Sequence, residues 1–392
     1  MQLIATSAEL DVLCRRLSTA DFVTVDTEFM RERTYWPQLC LVQIAGPSDA
    51  AVIDALAPGL DMAPLLRLLD DPRILKVFHA ARQDLEIFFH LNGRVPSPLF
   101  DTQVAAMVCG FGDAASYETL AAKLANARID KSVRYTDWAA RPLSDRQVAY
   151  ALADVTHLRE VYRGLGQRLK GNQRAHWLHE EMAILMDPAT YRLDPDEAWK
   201  RLKPRGAKPR FLAILRQVAS WREREAQTRD LPRNRVVRDE TVLDIAGHAP
   251  RTREDLARMR GLSRGFAEGR MSEDVLAAVA RGLAVPERDL PQGEPRFDLP
   301  PGTGPIVELL KVLLKLKSEE CDVAQRLIAT TSDLERIAAD DRADVPAMQG
   351  WRREVFGEAA LDLKHGRLAI ALRGKRVALM PTQAGASVPS PA

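Results

Sequence analysis

The chain has 392 residues, of which 46% are hydrophobic and 28% are charged, and 56 basic against 54 acidic residues leave a net charge of +2. This length exceeds one ordinary hydrophobic core, so we expect two or three domains of a soluble globular protein. No stretch of 18 apolar residues occurs, which excludes a transmembrane helix and predicts no membrane partner.

The cysteines and the N-terminus indicate the compartment. The four cysteines are scattered and form no C-x-x-C pair, which argues against a zinc site and against a disulfide framework. The first residues lack the basic segment and long apolar run of a signal peptide, so we expect none. Together these features predict a protein of the reducing cytoplasm.

The first 80 residues predict a sheet. A short strand at 3–4 precedes a helix that we expect Ser7 to cap, and three strands separated by short turns then suggest an antiparallel meander. A helix at 61–70 and a strand at 75–79 follow, and helices alternate with extended pieces beyond them. The pattern favours an α/β domain with a mixed sheet and helices on both faces. The meander strands are predicted at Phe22–Phe29, Leu39–Ala45 and Ala51–Asp54.

The first meander strand, FVTVDTEF, carries two carboxylates. Because side chains alternate along a strand, Asp26 and Glu28 point the same way and Thr27 points the opposite way. Two adjacent carboxylates at the end of a buried strand repel each other, and Mg²⁺ or Mn²⁺ between them would relieve that repulsion. The alternative is one carboxylate in solvent and one capping a loop.

Two further acidic positions follow. Asp84 lies in the first turn of a helix, just beyond the strand end where ligands sit in open α/β sheets, although it could simply complement the helix dipole. Ser144 and Gln147 look like a capping box at the start of a long helix. Tyr150 and Asp154 share one face of that helix, although a surface Asp and a half-buried Tyr are also common.

These motifs, in this order, resemble the tyrosine subclass of the DEDD superfamily of 3′→5′ exonucleases. The sequences that flank the motifs resemble those of the ribonuclease D family. Asp26 and Glu28 match the first motif, Asp84 the second, and Tyr150 with Asp154 the third. The resemblance covers residues 1–170. It implies a ribonuclease H-like mixed sheet flanked by helices.

The resemblance also implies a chemistry. Two divalent ions, Mg²⁺ or Mn²⁺, would be held by Asp26, Glu28, Asp84 and Asp154, and such ions can activate a water and stabilise the transition state of phosphodiester hydrolysis. Asp26 would bridge the ions, Glu28 and Asp154 would complete the side that holds the attacking water, and Asp84 would hold the second ion. Tyr150 is a poor general base at neutral pH, so its hydroxyl would orient the water.

The second half of the chain is helical and locally basic. The stretch from Lys200 to Arg210 reads either as a phosphate-contacting connector or as a solvated hinge. LPRNRVV at 231–237, followed by the helix that begins at Asp239, resembles an HRDC domain, and residues 305–376 look like a second, divergent one. Weak candidates for nucleic-acid contacts are Lys203, Arg205, Lys208, Arg210, Arg233 and Arg235.

The predicted architecture is therefore an α/β exonuclease domain followed by two small all-α HRDC-type domains. The predicted segments are the exonuclease domain at 1–170, a helical connector and basic linker at 171–206, an HRDC domain at 207–288, a proline-rich linker at 289–304, the second HRDC-like domain at 305–376 and a disordered tail at 377–392.

The family implies a monomeric 3′→5′ exoribonuclease that trims structured RNA, with tRNA precursors as partners. The helical domains would form a basic wall that holds the RNA, and a nuclease truncated near residue 206 should still fold. A DNA exonuclease of the same fold and a binding scaffold with a dead nuclease site are the alternatives. The complete set of five functional positions argues against the scaffold.

Overall fold

One mixed sheet is built from the first quarter of the chain in the computed structural model, which describes residues 3–133, 136–204, 207–292 and 297–382. Its strands lie side by side in the order β1-β4-β3-β2-β5-β6. In chain order they are β1 (Leu3–Ile4), β2 (Phe22–Met30), β3 (Gln38–Ala45), β4 (Ala50–Asp54), β5 (Leu75–Phe78) and β6 (Leu99–Asp101).

Strand β2 lies in the interior of this sheet. It pairs antiparallel with β3, and β3 pairs antiparallel with β4, so the predicted meander is confirmed. On its other side β2 pairs parallel with β5, and β5 pairs parallel with β6. A strand that has neighbours on both sides and helices over its faces must be apolar, which explains the FVTV sequence ahead of Asp26.

The helices around the sheet begin at recognisable caps. Thr6, and not Ser7 as expected, caps the first helix and forms a capping box with Glu9. The predicted capping box of Ser144 and Gln147 is present at the start of the long helix. The helices are α1 (Ser7–Leu17), α2 (Ala63–Asp70), α3 (Arg82–Asn92), α4 (Thr102–Val108), α5 (Tyr117–Leu124) and α6 (Asp145–Gly171).

A connector and a middle helical region, residues 209–284, follow the nuclease domain. Within that region, helix α13 (Arg270–Ala284) lies very close to helix α8 (Pro209–Thr228). A Cβ on Gly282 would approach the Cα of Ile214 to 2.5 Å, so only glycine fits there. The elements are α7 (Ala175–Met186), 3₁₀ turns at Pro188–Thr190 and Pro195–Leu202, α8 (Pro209–Thr228), α9 (Arg233–Val236), α10 (Asp239–His248), α11 (Arg253–Ala257), α12 (Arg264–Glu268) and α13 (Arg270–Ala284).

The C-terminal region is helical up to Lys364 and then becomes a β hairpin. We expected 368–372 to belong to the helical set and a disordered tail to begin at 377, and both expectations are wrong. Two apolar runs flank Gly374-Lys375, and Gly374 has φ +62°, which a tight hairpin turn requires. Residues 383–392 of the predicted tail lie outside the described residues. The elements are α14 (Gly304–Cys321), α15 (Gln325–Ile328), α16 (Thr331–Ala339), α17 (Gly350–Arg352), a π turn at Arg353–Gly357, α18 (Glu358–Lys364), β7 (Leu368–Arg373) and β8 (Arg376–Pro381).

Both helical regions pack against the nuclease domain and its connector. The rings of Trp177 and Trp351 stack with centroids 4.5 Å apart, and Arg352 forms an ion pair with Glu181. Tyr35 of the nuclease domain is buried in the core of the middle helical region. The two helical regions are therefore joined to the nuclease domain and its connector by buried contacts, and their role as a basic wall for RNA stays a prediction. None of the described helices is both long enough and apolar enough to span a bilayer.

Candidate active site

Three carboxylates meet near the end of strand β2. Asp26 and Glu28 come from the strand and Asp154 comes from α6, and one oxygen of each lies within 4.8 Å of the others. Asp154 is buried, whereas Asp26 and Glu28 are partly exposed, so solvent reaches the cluster from one side. The structure thus brings together three of the four predicted ligands.

Hydrogen bonds hold α6 against the strand that carries Asp26. Thr24 lies two residues before Asp26 and points to the same face, where its hydroxyl donates to the carbonyl of Val155 at 2.8 Å. The hydroxyl of Tyr117 on α5 donates to the carbonyl of Asp154 at 2.6 Å. These two bonds fix the helix backbone around Asp154. Neither Thr24 nor Tyr117 was predicted to support the site.

Asp84, the fourth predicted ligand, reaches the site from α3. Thr27 points away from Asp26 and Glu28, as the strand alternation predicts, and its hydroxyl donates to the Asp84 carboxylate. Asp84 is only 6% exposed, and burial together with the nearby charge of Asp26 raises the pKa of its carboxyl well above the ordinary value. The negative charge of Asp26 acts on Asp84, but Asp84 lies outside the three-carboxylate cluster.

The loop that leads into α3 is held by a buried carboxylate. Asp101, at the end of β6, accepts hydrogen bonds from the backbone N–H of Ala80 at 3.1 Å and of Ala81 at 2.8 Å. Ala80 has φ +57°, a left-handed conformation that a non-glycine residue adopts at some cost. Asp101 therefore fixes the turn that places Asp84, and it is a functional residue that we did not anticipate.

Tyr150 lies over the cluster on α6, one turn before Asp154. Burial, the surrounding carboxylates and a hydrogen bond to Asp154 raise the pKa of its phenol well above the ordinary value. The hydroxyl therefore remains protonated at neutral pH and acts as a donor, which agrees with the role expected for it. His79, directly after β5, forms a hydrogen bond to Thr102 through Nδ1 at 3.0 Å. Burial lowers the pKa of its ring, so it is held as a neutral structural group.

The donor set suits a hydrated divalent cation. Three carboxylate groups this close repel one another, and oxygen ligands of this kind are those that Mg²⁺ and Mn²⁺ prefer. Gln43 lies directly opposite Asp26 in the β2–β3 register and is fully buried, yet neither amide atom has a hydrogen-bond partner within the described residues. This buried amide is therefore a polar group opposite Asp26 that the described protein groups do not satisfy. A glutamine in the otherwise apolar strand LCLVQIA was the sequence signal for it.

The loop after β2 is tied to the middle helical region. Asp230 accepts from the backbone N–H of Tyr35 at 3.0 Å and of Trp36 at 2.9 Å. The hydroxyl of Tyr35 donates to Glu223, and it accepts from Arg233 at 2.8 Å. Because the loop follows the strand that carries Asp26 and Glu28, the middle region helps to fix the rim of the carboxylate cluster.

The candidate nucleic-acid residues have different environments. Arg210 donates to the carbonyls of Gly282, Leu283 and Val285 at the end of α13, so its guanidinium has a structural role, and its contact with RNA stays a prediction. Arg233 is partly buried beside Glu223. Arg205 lies outside the described residues, and the remaining candidates, Lys203, Lys208 and Arg235, are exposed.

Known families and proteins are similar in sequence to this chain. A 3′-5′ exonuclease family model matches residues 1–170, and the HRDC domain model matches residues 211–279. The chain is 52% identical over 379 residues to ribonuclease D of Gluconacetobacter diazotrophicus, covering 97% of this chain and 96% of that protein. It is 54% identical over 377 residues to ribonuclease D of Nitrobacter hamburgensis, covering 96% and 98%.

A solved structure is similar over nearly the whole chain. RNase D of Escherichia coli, described as an exoribonuclease involved in structured RNA processing, superposes with a TM-score of 0.81 at 30% identity, covering 93% of this chain and 98% of that one. The catalytic core of RRP6 from Trypanosoma brucei shares the fold, with a TM-score of 0.54 at 24% identity over 72% of this chain and 79% of that one.

Proposed function

Because the chain belongs to the ribonuclease D family of 3′→5′ exoribonucleases, we propose that it trims the 3′ ends of structured RNA, with tRNA precursors as substrates. Two-metal-ion hydrolysis would release nucleoside 5′-monophosphates. The observation that carries this proposal is the meeting of Asp26, Glu28 and Asp154 within 4.8 Å. We further propose that it works in the reducing cytoplasm, since its four cysteines are unpaired, and that it acts as a monomer.

The four carboxylates have separate proposed roles. Divalent ions bound here would lower the pKa of the attacking water and offset charge on the phosphate. Asp26 would contact both ions, Glu28 and Asp154 would complete the side that holds the water, and Asp84 would serve the second ion. Asp84 suits a charge-compensated role because its ionised form is unfavourable in the buried site without a cation.

Tyr150 would position the attacking water. Its hydroxyl keeps its proton at neutral pH because of burial and three neighbouring carboxylates, so it cannot accept a proton from that water. It can hydrogen-bond to the water and fix its direction toward the phosphorus. Thr24 and Tyr117 support this arrangement by holding the backbone around Asp154.

The test is hydrolysis of a tRNA precursor with a 3′ extension by the wild-type chain and by Asp26→Asn. The asparagine keeps the shape of the side chain and removes one charge from the cluster. We expect the wild type to release mononucleotides with Mg²⁺ or Mn²⁺ and not with chelator, and the variant to bind RNA without trimming it. Normal trimming by pure Asp26→Asn protein would contradict the mechanism.

Matched RNA and DNA oligonucleotides separate the proposal from a DNA exonuclease of the same fold. The carboxylates alone do not distinguish the two polymers, because the 2′-hydroxyl is read by other groups. We expect faster release of mononucleotides from the RNA. Faster digestion of the DNA strand would assign the chain to the other substrate class.

A further inference from the structure

A second concave site lies between the nuclease domain and the middle helical region. It is a cavity of about 330 Å³ to which both domains and the connector contribute. Four arginines and one carboxylate are among the groups that line it, together with the ring of Tyr35. These charged residues are Arg31, Arg201, Arg222, Arg233 and Asp239.

The guanidinium groups of this cavity have donors to spare. Arg222 is only 2% exposed and donates through Nη1 to Val237 and Asp239, but its Nε has no partner within the described part of the chain. Arg233 uses Nε and Nη2 toward Glu223. These bonds to Glu223 do not involve Nη1 of Arg233, which can therefore donate to an acceptor in the cavity.

Arg201 supplies positive charge that no ion pair neutralises within the described residues. Its side chain is exposed at the end of the 3₁₀ turn Pro195–Leu202, and it forms no ion pair within 4 Å in the regions that the structure describes. Arg222 pairs with Asp239 at 2.5 Å, and Arg233 pairs with Glu223, so these two positive charges are already balanced. Arg201 therefore leaves an excess of positive charge in the cavity.

One residue that lines the cavity, Arg31, lies close in sequence to the carboxylate cluster. Arg31 follows Glu28 by three residues, so their Cα atoms are at most about 11 Å apart. Arg31 also donates to both oxygens of Glu86, at 2.7 and 3.1 Å, on the helix that carries Asp84. An RNA strand whose 3′ end occupies the carboxylate cluster therefore has its preceding phosphates within reach of this cavity.

We propose that the cavity binds a backbone phosphate of the RNA strand, on the 5′ side of the nucleotide being removed. This rests on the proposed function and adds a second point of contact to it. Guanidinium groups match the oxygens of a phosphate with paired N–H donors, and Arg201 and Arg233 bring such groups to the cavity from the connector and from the middle helical region. Contributions from both domains would make the grip on RNA depend on their docking.

The test measures binding without turnover. A 5′-fluorescein-labelled single-stranded oligoribonucleotide is titrated with the full chain in chelator, and its anisotropy gives the dissociation constant over a series of KCl concentrations. The variants are Arg201→Gln, Arg201→Lys and, as a matched control, Arg192→Gln, an exposed arginine of the same connector that does not line the cavity. Exposure of both arginines means that the variants should fold, which circular dichroism verifies.

We expect Arg201→Gln to raise the dissociation constant about tenfold, equivalent to ~1.4 kcal/mol. Loss of one phosphate contact on a single strand should also lower the slope of log K against log salt by roughly 0.7. Arg201→Lys should keep the slope and bind with intermediate affinity, and Arg192→Gln should match the wild type. An unchanged slope for Arg201→Gln, or an equal loss for Arg192→Gln, would overturn the proposal.

Digestion of the same RNA with Mg²⁺ separates this proposal from the proposed function. If the wild type trims RNA while Arg201→Gln binds like the wild type, the phosphate site is wrong and the function stands. If the wild type binds RNA with the expected arginine dependence but releases no mononucleotides, the function is wrong and the phosphate site stands.

Discussion

Replacing Asp84 by asparagine should stabilise the metal-free protein while it removes activity. Asp84 is 6% exposed, lies near the charge of Asp26 and has a raised pKa, so its ionised form is unfavourable where it stands. Asparagine has nearly the same shape, and its side-chain oxygen can accept the hydrogen bond that Thr27 donates to Asp84. The substitution therefore removes the repulsion without opening a cavity.

The sign of the pH dependence follows from the raised pKa of Asp84. Below the unfolded-state pKa, near 4, the carboxyl is protonated in both states and contributes no difference. As the pH rises through that value, the unfolded chain releases the proton and the folded one retains it, so the wild type loses stability until the folded-state pKa is passed. The advantage of Asp84→Asn should thus be small near pH 4 and larger at pH 8.

The advantage should be about 1–3 kcal/mol at pH 8, the range in which neutral replacements of unfavourable buried charges fall. For a chain of this size, that is a rise in melting temperature of several degrees, at roughly 2–4 °C for each kcal/mol. Thermal melts followed by circular dichroism in chelator at pH 4 to 8 give the comparison. Adding Mg²⁺ should stabilise the wild type more than the variant, because the wild type binds it more tightly.

The reasoning about Asp84 would be refuted by a well-folded Asp84→Asn protein that melts at or below the wild-type temperature at pH 8 in chelator. A variant advantage that is the same at pH 4 and at pH 8 would also contradict it. In that case the stability change would come from packing and not from the titration of the carboxyl.

Three further predictions use other parts of the structure. Tyr150→Phe should lower turnover about a hundredfold in a protein that still folds, because the ring stays and only the hydroxyl beside the carboxylates is lost; single-turnover RNA digestion measures it, and unchanged turnover would remove the water-orienting role. Tyr35→Phe should cost about 1–3 kcal/mol in urea unfolding, because the buried carboxylate of Glu223 loses a donor, and a change below 0.5 kcal/mol would show the bond to be unimportant. Deleting the chain after Lys203 should lower the melting temperature and activity of the nuclease domain, because Tyr35 loses the core that buries it, and a fragment as stable and active as the full chain would contradict this.

The truncation result that we now expect differs from the expectation based on the sequence. The sequence suggests that a nuclease cut near residue 206 folds alone, because the motifs all precede that point. The structure gives Tyr35 only 4% exposure within the core of the middle helical region and stacks Trp177 on Trp351 of the C-terminal region. Independent folding is a property of buried contacts, and motif positions do not report those contacts.

The positions of the candidate ligands follow from local rules. Alternation along a strand predicted that Asp26 and Glu28 share a face, and helical spacing predicted the same for Tyr150 and Asp154. The structure brings Asp26, Glu28 and Asp154 together, and it places the Tyr150 hydroxyl beside them. Rules of this kind work because they depend only on the repeat of one strand or one helix.

The supporting residues could not be predicted in the same way. Thr24 bonds to a carbonyl 131 positions later in the chain, and Tyr117 bonds to one 37 positions later. A hydroxyl on a buried strand or at a helix start is common, and nothing in a single sequence states which carbonyl it meets. Only the packing of α5 and α6 against the sheet decides those partners.

The sequence contains signals for two features that we predicted wrongly, the cap of α1 and the C-terminal hairpin. Thr6 rather than Ser7 caps α1, and the glutamate three residues after Thr6 is the second half of a capping box. The hairpin after Arg367 was assigned to a helical set because short apolar runs fit both periods. The Gly-Lys pair between those runs is a turn signal that favours strands.

The bond between Asp230 and the loop at Tyr35 joins backbone and side-chain groups 195 residues apart. At a synthesis rate of about 5–20 residues per second, that separation corresponds to roughly 10–40 s on the ribosome. For that time the loop beside the first two carboxylates lacks the hydrogen bonds from its Tyr35 and Trp36 backbone to Asp230. The order of synthesis therefore makes completion of the nuclease rim a late event, which occurs only after the middle helical region has left the ribosome.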